Sequence, residues 1–341
     1  MTKYKKLLTA LILSAIIISS SGCEISQSVS AGNPSSESSS VSEISVPEEP
    51  EEPEISEPII EEPVEAEPVI EPVFNLYSQT AEKGGYFIIK AENADLSEVV
   101  FKDLLGNDLR FFEKDGAWFS FIPVKAETRA GYYPLKISGE GFEFKTTLTV
   151  ADRKLKTQYL VVEQATLEAT LEDTAVREAF AEFVEEKRFN FTETPLWNGE
   201  FIKPLGDSWY KETTSYGTFR TFSSGRTEWH DATDMAVGGG TPVYATNSGK
   251  VFFADWVDLS GYTIIIDHGC GLMSWHYHLS SIEVSEGDEL EKGDFIGRVG
   301  TTGLSTGNHL HFGISASGTF VDPMKIIGTE PNLDFGEVKA E

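Results

Sequence analysis

The sequence predicts a mainly β protein with two β regions: an N-terminal β-sandwich and a C-terminal antiparallel β-sheet domain, joined by a short helix-containing linker. Three observations predict it. Short runs rich in β-branched and aromatic residues recur along the chain, separated by Gly, Asn and Asp turns. Helical spacing stands out in the segment between the two regions. The length of 341 residues suits about two domains at ~150 residues each.

In the first β region, residues 74–151, the runs are Tyr86–Lys90, Trp118–Phe121 and Phe142–Val150. Their spacing resembles that of immunoglobulin-like modules, and nothing in them points to chemistry, so a spacer is the expectation. In the linker, residues 152–195, a β-like run at Gln158–Glu163 precedes a helix expected over Glu172–Lys187. There Val176, Phe180, Phe183 and Val184 form a packing stripe. The last region, residues 196–330, offers strands at Thr241–Thr246, Gly249–Ala254, Tyr262–Asp267 and Phe295–Val299, before a tail at 331–341.

The chain start reads as an export signal over residues 1–22. Lys3, Lys5 and Lys6 precede a mostly apolar run of twelve residues, Leu7–Ile18, too short for a membrane span of ~20. The following Ser19-Ser20-Ser21-Gly22-Cys23 resembles a bacterial lipoprotein signal, with Ser20 where Leu is usual. The resemblance implies lipid on Cys23 and a protein outside the cytoplasm, held to the membrane by that anchor alone. Residues 23–73 are Ser-rich and then a Pro/Glu repeat, with too few apolar side chains to offset backbone ordering. They are expected to form a disordered, extended tether.

The formal net charge is −28, and the 14 Glu of residues 24–73 supply half of it. Residues 196–341 carry 20 acidic and 9 basic side chains. Such a chain is repelled by nucleic acid and by anionic membrane surfaces. The second cysteine, Cys270, lies in a Gly-Cys-Gly turn and is expected to be a half-buried thiol with no disulfide partner. The sequence gives no oligomeric state.

All six histidines lie between residues 230 and 311. In Gly307-Asn-His309-Leu-His311-Phe-Gly-Ile314, strand alternation puts His309 and His311 on one face and Leu310, Phe312 and Ile314 on the other. The same logic places His276 and His278 of Trp275-His-Tyr-His-Leu279 on one side. A third cluster, His230-Asp-Ala-Thr-Asp234, runs into Gly238-Gly-Gly240, so a curved strand or loop rather than a helix must bring His230 to Asp234. Imidazole nitrogen and carboxylate oxygen suit zinc, and a catalytic zinc site commonly has three protein ligands and one open position.

At this point residues 196–330 resemble the lysostaphin-type family of zinc endopeptidases that cleave peptidoglycan. The matching motifs are His230-x-x-x-Asp234, His276-Tyr-His278-Leu-Ser280 and His309-Leu-His311-Phe312. Gly240-Thr-Pro-Val-Tyr-Ala245 and Asp267-His-Gly269 follow the same order. The resemblance implies one zinc ion on His230, Asp234 and His311, with His278 and His309 as unliganded catalytic histidines. The implied substrate is the peptide part of cell wall. Ala232 stands where Gly is usual and His276 where Tyr is usual. His268 falls in the Asp-His-Gly turn and reads as structural. Some members of that family have lost ligands and serve as scaffolds or activators of other wall hydrolases; here the ligand set is complete.

Overall fold

The computed structural model of the protein describes residues 71–161 and 174–331, all within one compact unit, Ala66–Glu341. The expected export signal, Cys23, the expected tether up to residue 70 and the tail from residue 332 lie outside the described residues. Among the described residues, no helix is long and apolar enough to cross a membrane. The chain is mainly β, as expected.

The first region has two sheets and a ribbon. Strands β1 (Val73–Leu76), β3 (Tyr86–Glu92), β7 (Ala117–Pro123) and β6 (Phe112–Lys114) form one sheet in that order. Strands β2 (Thr80–Glu82), β9 (Phe142–Ala151) and β8 (Gly131–Gly139) form the other, with β2 parallel to β9. Strands β4 (Val100–Lys102) and β5 (Asp108–Arg110) pair as a ribbon. Period-two alternation in β3 sends Phe87, Ile89 and Ala91 into a core shared with Ile122, Leu135, Leu148 and Val150.

The opposite face of this sheet is buried too. Ile88, Phe119 and Phe121 join the apolar core of the C-terminal region, where Trp197 lies edge-on to Phe119 and Phe121 at 6.4 and 6.3 Å. Removing a Phe side chain from such a core costs about 3–5 kcal/mol. Residues 74–151 are therefore packed as part of the body of the protein, which a bare spacer does not require.

The C-terminal sheet has ten strands, all paired antiparallel. Its main path runs β11 (Lys211–Thr214), β14 (Thr233–Ala236), β21 (His309–Ala316), β18 (Leu272–Ile282), β17 (Gly261–Gly269), β16 (Gly249–Val257) and β19 (Glu289–Leu290). Strand β20 (Phe295–Val299) pairs with β18 and with β15 (Pro242–Tyr244), and β22 (Thr319–Val321) pairs with β21. A separate three-stranded sheet holds β10 (Thr157–Leu160), β12 (Phe219–Phe222) and β13 (Thr227–Trp229). Strand β10 comes from the linker yet runs parallel to β12, so the linker builds part of the C-terminal architecture.

The one α-helix among the described residues, α1 (Thr174–Arg188), fits the expected span, whose first two residues are not described. Phe180, Phe183 and Val184 of its stripe cover the sheet face formed by Phe253, Ile265, Met273, Trp275 and Tyr277. Lys187 and Arg188 in the last turn suit the negative end of the helix dipole. Cys270 is fully buried, a correction to the half-buried expectation, and its Sγ donates to the Glu193 carbonyl at 3.1 Å.

Candidate metal centre

Strand register builds the site. In β21, Leu310, Phe312 and Ile314 are fully buried in the core, which turns His309 and His311 to the other face. Asp234 of β14 lies directly opposite His311, and Ala236 opposite His309. Partners that face each other across an antiparallel pair share a side of the sheet, so Asp234 and His311 meet. His311 Nδ1 lies 2.9 Å from Asp234 Oδ1.

His230 arrives from the connection between β13 and β14, as the sequence requires. Its backbone N–H donates to the Thr218 carbonyl and its own carbonyl accepts from Gly217. Its Nδ1 lies 3.3 Å from the Ser215 carbonyl. A carbonyl can only accept, so Nδ1 carries the proton and Nε2 offers a lone pair to the site. That Nε2 lies 3.0 Å from Asp234 Oδ1 and 3.2 Å from His311 Nδ1.

Three ligand atoms thus converge within hydrogen-bond distance of one another, and this is the group among the described residues that could hold a metal ion. Zinc bonds of ~2.0–2.2 Å in a tetrahedron separate ligand atoms by about 3.4 Å. The observed 2.9–3.2 Å separations close to that value with small adjustments. The residues present fit one zinc ion. Burial works to raise the Asp234 carboxyl, but the close imidazoles of His230 and His311 outweigh it and hold it well below the usual carboxylate range.

His278 and His309 stand beside this group. Their rings are 4.7 Å apart, and His278 lies 5.8 Å from His311. His309 Nδ1 sits 2.8 Å from the Gly307 carbonyl, and His278 Nδ1 2.8 Å from the Thr302 carbonyl. Both Nδ1 atoms are therefore donors, which leaves Nε2 as the ring nitrogen each histidine can offer to the site. His309 Nε2 points toward Asp234 Oδ1, at 3.7 Å. Burial, with the nearby His311 and His309, pushes His278 down to about 3, so it is neutral near pH 7.

One expectation fails. His276 and His278 do not share a face. His276 is fully buried against Phe312, on the core side, whereas Tyr277 and His278 both reach the His311 side. The cause is the backbone of His278, which adopts φ +62° in the left-handed region and breaks the alternation of β18. Tyr277, paired with His311 in register, stacks flat on its ring at 5.0 Å. His268 is structural as expected: buried, with Nδ1 on the Ser248 carbonyl and Nε2 on Ser274 Oγ.

The cleft around these groups, about 320 Å³, is walled by β10, β11, β12 and the loop at Leu304–Asn308. Leu160, Phe222 and Leu304 close one side as a small apolar cluster. Sequence reasoning missed Leu160 as a wall residue, and it missed Arg220, Tyr277 and Thr302. Arg220 shares a face with Phe222 on a short strand without a motif, and only a cation between two aromatic residues could have marked it.

Residues 228–323 match the profile of Peptidase family M23. The C-terminal part of the chain is a peptidase family M23 domain. Over 96 residues the chain is 38% identical to the peptidoglycan DD-endopeptidase ShyA of Vibrio cholerae, a match covering 28% of this chain and 22% of that protein. Over 124 residues it is 35% identical to lysostaphin of Staphylococcus simulans, covering 35% and 25%. The chain thus spans about a fifth to a third of the length of the curated relatives it matches. The crystal structure of a Pseudomonas aeruginosa protein assigned to peptidase M23 aligns with 72% of this chain and 94% of that one. Its TM-score is 0.52 at 23% identity, a likeness in fold.

Proposed function

We propose that this protein is a zinc metalloendopeptidase that hydrolyses peptide bonds of bacterial peptidoglycan. The observation that carries the reading is the pairing of a three-ligand group with two unliganded imidazoles that present Nε2 beside it. A lone metal site needs no such neighbours. The named activities of ShyA and lysostaphin support peptidoglycan as the substrate class.

His230 through Nε2, Asp234 through Oδ1 and His311 through Nδ1 would hold the ion. When bound, zinc supplies an activated water and polarises the scissile carbonyl. His309, which keeps 15% of its side chain exposed, takes the proton at Nε2 and hands it to the leaving amine. Its Nδ1–H stays on the Gly307 carbonyl throughout, which fixes the ring. His278 is more deeply buried, and burial penalises its cation, so it serves as the fixed acceptor that orients the attacking water. Apolar Leu160, Phe222 and Leu304 limit water on one side of the cleft.

We further infer export through residues 1–22, lipidation of Cys23 and a tether that lifts the folded body toward the wall. The test is mass spectrometry of fragments released from purified peptidoglycan by protein lacking residues 1–23, with zinc measured on the same sample. Release of new peptide termini by zinc-loaded protein supports the reading. Zinc-loaded protein that cuts no wall peptide refutes it, and protein that takes up no zinc favours a scaffold.

A further inference from the structure

The two carboxylate oxygens of Asp234 have different surroundings. Oδ1 faces His230 and His311. Oδ2 turns away from them and accepts from Arg220 Nη2 at 2.6 Å, a short charge-assisted bond. The pair is well buried, with 15% of the Arg220 side chain and 8% of the Asp234 side chain exposed. Arg220 is the one Lys or Arg among the residues lining the cleft.

Arg220 is itself held from behind. Register in the β12–β13 hairpin sets it opposite Glu228, and on its other side it pairs with Gln158 of β10. Its Nη1 lies 3.8 Å from Glu228 Oε1, while Glu228 Oε2 accepts from Arg226 Nη2 at 2.6 Å. Charges therefore alternate Arg226, Glu228, Arg220, Asp234 along the hairpin toward the three-ligand group. A guanidinium is a planar fork and can serve Asp234 and Glu228 in one fixed orientation, which an ammonium cannot do.

We propose that Arg220 is a positioning residue for the metal centre: by occupying Oδ2 it holds Asp234 as a one-oxygen ligand. A carboxylate free at both oxygens can bind an ion through both or rock between them. Bidentate binding fills the coordination position that water or substrate needs. With Oδ2 taken, one oxygen faces the ion, and its direction is set by the hairpin. Groups that orient a metal ligand from outside typically change metal affinity by about 10–100-fold when removed.

This role rests on the zinc reading above, and its test reads the metal rather than the reaction. Zinc dissociation constants are measured by chelator competition on wild type, Arg220→Gln and Arg220→Lys. Visible spectra of the cobalt(II) forms are recorded alongside, since their absorption weakens when coordination rises above four. The expected result is zinc binding weakened about 10–100-fold in Arg220→Gln, less in Arg220→Lys, with weaker cobalt bands in both. If Arg220→Gln fails to fold, Arg220→Lys decides alone by the same two readings. Wild-type affinity and an unchanged cobalt spectrum in the folded variants would overturn this role and leave the functional reading intact. Wild-type protein that takes up no zinc would overturn both.

Discussion

Strands β21 and β18 lie side by side, and each carries two histidines one residue apart. In β21 the pair obeys alternation: His309 and His311 face the site, while Leu310 and Phe312 fill the core. In β18 the same spacing gives the opposite result: His276 is buried against Phe312 and His278 reaches the site. A single backbone conformation, φ +62° at His278, separates the two outcomes. The spacing rule belongs to a regular strand, and one left-handed residue resets which face the following side chain meets.

The largest expected effect breaks the comparison on the β21 side. His311→Ala is expected to lose both zinc and hydrolysis, read by elemental analysis and by release of wall peptides. His309→Ala, one step along the same face, is expected to keep zinc while the rate falls about 10²–10⁴-fold. If the two variants lose zinc alike, the division of labour within β21 is wrong.

The next effect sharpens the β18 side. His278→Asn removes the imidazole but retains a residue that tolerates the left-handed region. It is expected to keep zinc and thermal stability and to lose hydrolysis on the order of 10²-fold. His278→Val loses the same imidazole and also pays about 1–3 kcal/mol of backbone strain. Equal melting temperatures for the two variants would contradict the strain argument.

The smallest effect on activity is expected at His276. His276→Leu should hydrolyse wall within a few-fold of wild type, because that ring faces the core. Its signature is acid sensitivity. Burial, with His268 nearby, pushes His276 down to about 3, and burial pushes His268 down to about 4. Both imidazoles ordinarily titrate near ~6.5 in the unfolded chain. Below that pH the unfolded chain binds more protons than the folded one, so stability present above pH ~6.5 falls as acid is added. At pH 5 each buried histidine accounts for about 2 kcal/mol of that loss. Urea unfolding at pH 7.5 and pH 5.0 should therefore show a smaller acid loss in His276→Leu than in wild type. Identical losses would place His276 somewhere other than the core.

Much of the site was legible in the order of residues. The face shared by His309 and His311 follows from three apolar neighbours that a core must take, and the glycines after Asp234 correctly excluded a helix there. Arg220 was not legible, because its role depends on a hairpin in a separate sheet, β12–β13, that turns its guanidinium toward Asp234. Leu160 was not legible either, since a linker strand that joins a distant sheet in parallel leaves no local pattern.

The sequence by itself determined that the chain is mainly β, that its histidines gather between residues 230 and 311, and which face of β21 carries two of them. Those properties are local: they follow from side-chain alternation, turn residues and the clustering of imidazoles. Only the tertiary structure decided that Asp234 meets His311, that His278 and not His276 joins them, and that the N-terminal β region shares a core with the C-terminal one. Those depend on register between strands far apart in the chain, on one positive φ, and on which faces are left to bury.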